Sequence, residues 1–134
     1  MLEPITNIKN LIPQKDPFIM VDVLQSHSKD KATSSFKIQK DNILFYEDNF
    51  IEAGLIENMA QTVALHTGYD YFVRGEESPT GYIGAIKKVQ ILELPKIGQE
   101  LSTTVTILHD IMGVTLVQAE IECVHTYKNV IRPS

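Results

Sequence analysis

Glu57 is the carboxylate in this chain whose surroundings most suggest chemistry. Around it Ala53, Ile56, Met59, Ala60, Val63, Ala64 and Thr67 follow i, i+3, i+4, i+7 spacing, which only a helix gathers on one face. At about 100° per residue Glu57 falls on the border of that apolar stripe. Ala60, Ala64 and Gly68 flank it, and Gln61 stands one turn below. Small neighbours leave room for something slender to lie against the helix. A carboxylate at an apolar margin should hold its proton more tightly than in water, which suits general acid or base work near neutral pH. Gly54 opens the helix, where free backbone N–H groups could polarise a carbonyl oxygen. The plainer reading makes Glu57 a first-turn acid favoured by the helix dipole. The periodicity alone leaves both readings open.

Other reactive residue types carry weaker signals. His66 falls on roughly the opposite flank of the helix, so it forms no dyad with Glu57 within one subunit. His125 shares the inward phase of the strand carrying Cys123 and is most simply a core or edge residue. His27 in a turn and His109 at a strand end read as surface. Cys123 is the single cysteine, which excludes an intramolecular disulfide and reads as a small buried hydrophobe. No G-x-S-x-G, phosphate loop or metal-spaced cluster is present. Lys87, Lys88 and Lys96 form a modest basic cluster, by default solvated surface but suited to an acidic carrier protein.

These residues must be positioned by few elements. Ile5, Ile8 and Leu11 recur every three residues between Pro4 and Pro13, predicting a short N-terminal helix. Residues 18–24 are an apolar run of strand length, 26–30 supply turn residues, and 32–38 alternate, so residues 17–40 predict a β-hairpin. The long helix spans about 53–72 and, with few charges, should be covered on most sides. Gly75 and Pro79 close it. Beyond it the spacing predicts one long strand at 82–92, a turn at Pro95 and Gly98, a strand at 101–108, a turn at 110–113 and a half-buried antiparallel strand at 114–126. Tyr127 to Asn129 reads as a turn, and Val130-Ile131 is too short to assign. One long helix cannot bury its faces alone. The expectation is therefore an α+β hotdog fold, an antiparallel sheet wrapped around one central helix, whose open edge pairs across a dimer.

The whole chain, 1–134, reads as one such domain, with 43% hydrophobic and 22% charged residues. A net charge of −5 gives no reason to seek nucleic acid or an anionic membrane. Met1-Leu2-Glu3-Pro4 does not read as a secretory signal, and no stretch approaches the roughly 18 apolar residues of a spanning helix. A cytoplasmic protein is expected.

Three segments carry a resemblance. Residues 11–22, with Leu11-Ile12-Pro13, Pro17-Phe18 and Val21-Asp22, resemble the opening of the FabZ-type 3-hydroxyacyl-[acyl-carrier-protein] dehydratases. Gly54-Leu55-Ile56-Glu57-Asn58-Met59-Ala60-Gln61 is similar to their central-helix motif. Tyr82-Ile83-Gly84-Ala85-Ile86-Lys87-Lys88-Val89, followed by Pro95 and Gly98, is similar to a later strand. The resemblance runs over roughly residues 8–125, in order and at compatible spacing. It implies dehydration of 3-hydroxyacyl groups carried as acyl-carrier-protein or CoA thioesters, in a tunnel along the helix at a dimer interface. The phosphopantetheine arm belongs to the carrier, and no cofactor of the protein's own is implied. Glu57 matches the catalytic acid, with Asn49 and Gln61 as further catalytic candidates. Gly54, Leu55, Ala60 and Ala64 would line the substrate, Gly54 near the position that polarises the thioester carbonyl. Lys87, Lys88 and Lys96 would receive the carrier.

One segment departs from that pattern. Where the family has a histidine in a Gly-His-Phe-Pro run before the helix, this chain has Asn49-Phe50 in a shorter loop, and an asparagine cannot act as a base. The variant resembles the FabZ-like proteins of aryl-polyene and flexirubin-type pigment clusters. With only Glu57 retained, one carboxyl must act twice, or Asp48, Glu52 or a partner's residue must help. Three readings follow: a dehydratase, an acyl-thioester hydrolase in which the helix carboxylate activates water, and a non-catalytic hotdog subunit of a heteromer.

Overall fold

The computed structural model describes residues 3–77, 83–86, 89–111, 114–124 and 128–133. A single helix, α1 (Glu52–Val73), lies against a seven-stranded sheet. Its strands are β1 (Val23–His27), β2 (Lys31–Lys37), β5 (Ile83–Ile86), β6 (Val89–Ile91), β7 (Glu100–Ile111), β8 (Val114–Cys123) and β9 (Lys128–Pro133), while β3 (Phe45–Tyr46) and β4 (Asn49–Phe50) form a small ribbon before the helix. The sheet order is β1-β2-β7-β8-β9-β6, with β5 beside the start of β8. This is the hotdog arrangement expected from the sequence.

Period-2 alternation builds the face beneath the helix. Ala32, Ser34 and Phe36 of β2 stand opposite Val105, Thr103 and Leu101 of β7, which in turn stand opposite Ala119, Ile121 and Cys123 of β8. All nine are buried. Met20, Leu24, Ile38, Phe50, Leu55, Met59 and Leu65 complete the core with no exposed surface.

Where the sequence reading and the structure differ, a competing contact is visible. The N-terminal helix is reduced to one 3-10 turn, Ile8–Asn10. Ile5 instead exchanges backbone hydrogen bonds with Leu24, each 2.9 Å, and so covers the outer edge of β1. The first strand starts only at Val23, because the polar groups of Phe18 and Met20 are claimed by helix side chains. The expected long strand at 82–92 is two short ones with different partners: β5 runs parallel to β8, and β6 antiparallel to β9. The unassigned Val130 and Ile131 are fully buried in β9, between β8 and β6. The turn expected at 110–113 starts later, since β7 runs to Ile111; positions 112–113 lie outside the described residues.

The end of α1 follows from Gly75. At φ +69° it takes the left-handed conformation, its N–H donates to the Phe72 carbonyl at 3.0 Å, and the Glu76 N–H donates to the Tyr71 carbonyl at 2.9 Å. This is a Schellman termination, which glycine favours.

Candidate functional site

The orientation of α1 differs from the expectation. The face turned to the sheet carries Leu55, Asn58, Met59, Thr62, Leu65 and His66, whereas Ala53, Ile56 and Ala60 of the apolar stripe are exposed and Ala64 and Thr67 half-buried. Glu57 stands on the border between the two faces. It is half-buried, and its Oε2 is shut away from solvent with no hydrogen-bond partner among the described residues. A buried acceptor left unpaired costs roughly 1–3 kcal/mol. Such a group in a folded protein calls for an explanation, and a catalytic role is one.

Inward polar side chains fix the helix in rotation. Gln61 Oε1 accepts the Met20 N–H at 2.6 Å, and Gln61 Nε2 donates to the Phe18 carbonyl at 2.8 Å. Asn58 Nδ2 donates to the Met20 carbonyl at 2.7 Å, while its Oδ1 accepts the Thr103 hydroxyl at 2.5 Å. Thr62 Oγ1 spends its only proton on the Asn58 carbonyl at 2.7 Å, so Ser34 Oγ must be the donor in the 2.7 Å bond between the two hydroxyls. Gln61, a catalytic candidate in the sequence, thus has both ends of its amide engaged with backbone and holds the 18–20 segment.

Of the residues expected to line a substrate, Leu55 is wholly inside the core, while Ala60 and Ala64 lie on the open side with Glu57. Gly54 is buried, and its N–H already donates to the Ile51 carbonyl at 2.9 Å. No free donor for a thioester carbonyl remains at that position. Its smallness serves a different purpose: a Cβ there would collide with the tip of the Phe50 ring.

Phe50 comes from the β3–β4 ribbon, whose turn residues Glu47 and Asp48 have φ of +50° and +67°, as tight two-residue hairpins require. Phe50 N–H donates to the Pro95 carbonyl at 2.7 Å, and Asn49 forms a backbone bridge with Lys96. The Asn49 side chain is half-buried and donates to the Glu47 carbonyl at 3.3 Å. Asp48, Glu52 and Lys96 are exposed. Lys87, Lys88 and His125 lie outside the described residues.

The structure also brings together residues the sequence kept apart. His27 is not in a turn but ends β1, half-buried, with its ring stacked on that of His66 at 4.6 Å and tilted against Tyr69 at 4.6 Å. His27 Nε2 lies 3.0 Å from Asp70 Oδ1 and 3.2 Å from the His66 carbonyl. Burial first, then the neighbouring His66, hold the His27 imidazole below its usual protonation range, and Asp70 opposes them. His66 Nε2 faces the carbonyls of Ser28 and Lys29 at 2.9 and 3.0 Å. No local motif announces this group, since His27, 39 residues before His66, arrives from the end of β1. At 1.5 Å rise per residue, His66 stands about 13 Å along the axis from Glu57. His109 is exposed.

Comparisons with known proteins agree with this architecture. The chain matches the ApeP-like family, described as the ApeP dehydratase, over residues 6–130. A sequence comparison with curated proteins found no match. Among solved structures, the dehydratase heterocomplex ApeI:P from Xenorhabdus doucetiae is similar with a TM-score of 0.74 and 15% identity, covering 92% of this chain and 86% of that one. Zebra fish thioesterase superfamily member 2 is similar with a TM-score of 0.64 and 13% identity, covering 89% and 81%. The E. coli PaaI protein from the phenylacetic acid degradation operon gives 0.59 and 14%, covering 81% and 75%. At these identities the structural likeness speaks for the fold.

Proposed function

The chain belongs to the ApeP-like dehydratase family, and from that premise we propose that it removes water from 3-hydroxyacyl groups carried as thioesters on a carrier protein, working as one subunit of an assembly of hotdog chains. The observation that carries this reading is the Glu57 carboxyl, with one oxygen sealed from solvent and unpartnered among the described residues, beside the exposed apolar stripe of Ala53, Ile56 and Ala60. An acyl chain lying along that stripe brings its β-hydroxyl to Glu57.

Elimination breaks a C–H bond at the α-carbon and a C–O bond at the β-carbon. Glu57 acts as the general acid, passing a proton to the departing hydroxyl, which leaves as water. The α-proton needs a second acceptor. The two imidazoles described on this side of the molecule are tied to each other and to Asp70 about 13 Å along the helix. The Asn49 amide cannot take a proton at neutral pH. A base contributed by the neighbouring subunit completes the reaction, and the Xenorhabdus doucetiae heterocomplex is a dehydratase built from more than one kind of chain. This favours a second, different hotdog subunit as the partner.

The test pairs the purified chain, alone and co-expressed with a second hotdog protein of the dehydratase type, with 3-hydroxyacyl-carrier thioesters, read by mass spectrometry. The expected product is the enoyl thioester, formed by the pair. Glu57→Gln should slow its formation about 10²- to 10⁴-fold. Release of free acid instead of water would make the chain a hydrolase, and undiminished dehydration by Glu57→Gln would remove Glu57 from the mechanism.

A further inference from the structure

Far from Glu57, the turn-ward half of α1 holds a second constellation, and we propose that His27 Nε2, His66 Nδ1 and the Asp70 carboxylate form a binding site for one late first-row divalent ion of the zinc type. The donor atoms of the three residues lie within 4.8 Å of one another. Asp70 and His66 are four residues apart on the helix, one above the other, and His27 arrives from the end of β1. Two imidazole nitrogens and a carboxylate are the donor set of many open zinc sites, with a fourth position left to water. They select zinc, cobalt or nickel over magnesium or calcium.

Two features point to a cation here. The first is the tautomer of His66. Its Nε2 faces two carbonyl oxygens, those of Ser28 and Lys29, so the ring hydrogen must sit there. That leaves the Nδ1 lone pair directed at Asp70 Oδ2, 3.8 Å away. A ring N–H anchored on backbone carbonyl, with the other nitrogen freed, is the arrangement that supports metal-ligating histidines. The second is a shortage of donors. The Asp70 carboxylate and the His66 Nδ1 lone pair are both acceptors, and the His27 N–H is the side-chain donor that reaches the carboxylate among the described residues. A positive ion among these atoms satisfies them together.

Binding asks for a modest adjustment. Ligand atoms around a tetrahedral zinc stand about 3.3 Å apart, so the wider pairs, up to 4.8 Å, must close by as much as about 1.5 Å. Asp70, with its side chain 40% exposed, is free to swing inward. The His27 ring must tilt out of its 20° stack on His66 and release the Nε2 proton. The bound ion would then tie the β1–β2 turn to the later half of α1.

The experiment uses the untagged full chain, stripped with a chelator and titrated at neutral pH with zinc chloride by calorimetry and with cobalt(II) by absorption. One ion per chain is expected, with a melting temperature higher by on the order of 10 °C at a hundredfold excess over Kd. Asp70→Asn and His27→Ala should each weaken binding at least about tenfold and remove the cobalt band. Asp70 is surface-accessible enough for its variant to fold. A flat titration overturns the proposal, as does binding that both variants retain. If the metal-free protein gains stability near pH 6 while the titration stays flat, a proton occupies the place and the metal site is refuted.

Discussion

Asp22, just ahead of β1, accepts the Lys37 backbone N–H at 2.8 Å. Loss of solvation nevertheless raises its proton affinity above the usual carboxylate range, the Lys37 bond opposes this, and nearby Glu100 adds to the rise. A raised folded-state affinity means that the native protein holds the proton more tightly than the unfolded chain. Ionised Asp22 therefore weakens the fold at neutral pH. The loss disappears as pH falls through the folded value and below the unfolded one, about 3.9. Asp22→Asn keeps an acceptor for Lys37 and discards the charge. It is expected to raise the stability read from urea unfolding at pH 7, by no more than about 0.5 kcal/mol because this exposed position is screened by solvent. The two proteins should converge near pH 3. A gap of the same size at both pH values would contradict the assignment.

At the scale of the element, α1 is held by hydrogen bonds as much as by apolar packing. Gln61→Leu would leave the Met20 N–H and Phe18 carbonyl unpaired, Met20 being fully buried. A loss of about 2–4 kcal/mol is expected in thermal or denaturant unfolding. A variant of native stability that had lost activity would return Gln61 to the catalytic machinery. The existence and length of α1 were legible in the sequence, because seven periodic positions all agree. Its orientation was not. Of the seven-residue stripe that reads as a core face, Met59 and Val63 are buried, but Ala53, Ile56 and Ala60 face outward while amides and hydroxyls face the sheet. Periodicity reports which residues share a side, and only long-range partners such as Ser34 and Thr103 decide where that side points. The same reason hid β9, with two apolar residues between polar flanks, and the His27, His66 and Asp70 group, assembled from two distant segments. The position of Glu57 on the border of the helix faces was legible because its signal is local.

For the whole molecule, the apolar stripe is surface that a single chain leaves uncovered. Ile56 is 44% exposed beside the carboxylate, in line with Ala53 and Ala60. On the proposed reading a second hotdog chain closes over it, and Ile56→Lys should dissociate the assembly in sedimentation velocity while circular dichroism stays native. An unchanged sedimentation coefficient for an assembled wild type would place the interface elsewhere. The sheet edges are treated unequally. The Ile5 segment covers β1, whereas Gln90, Ile91 and Leu92 around β6 are exposed.

The inward polar face of the helix has one more consequence, for descent. Asn58, Gln61 and Thr62 lock the rotation of α1 through partners on the 18–20 segment, β2 and β7, so the outward positions 53, 56 and 60 carry little of the information that specifies the fold. Substitutions there can accumulate without unmaking the protein. A lineage built on this scaffold is free to reshape what lies against the helix one side chain at a time, while the buried amides keep every intermediate foldable.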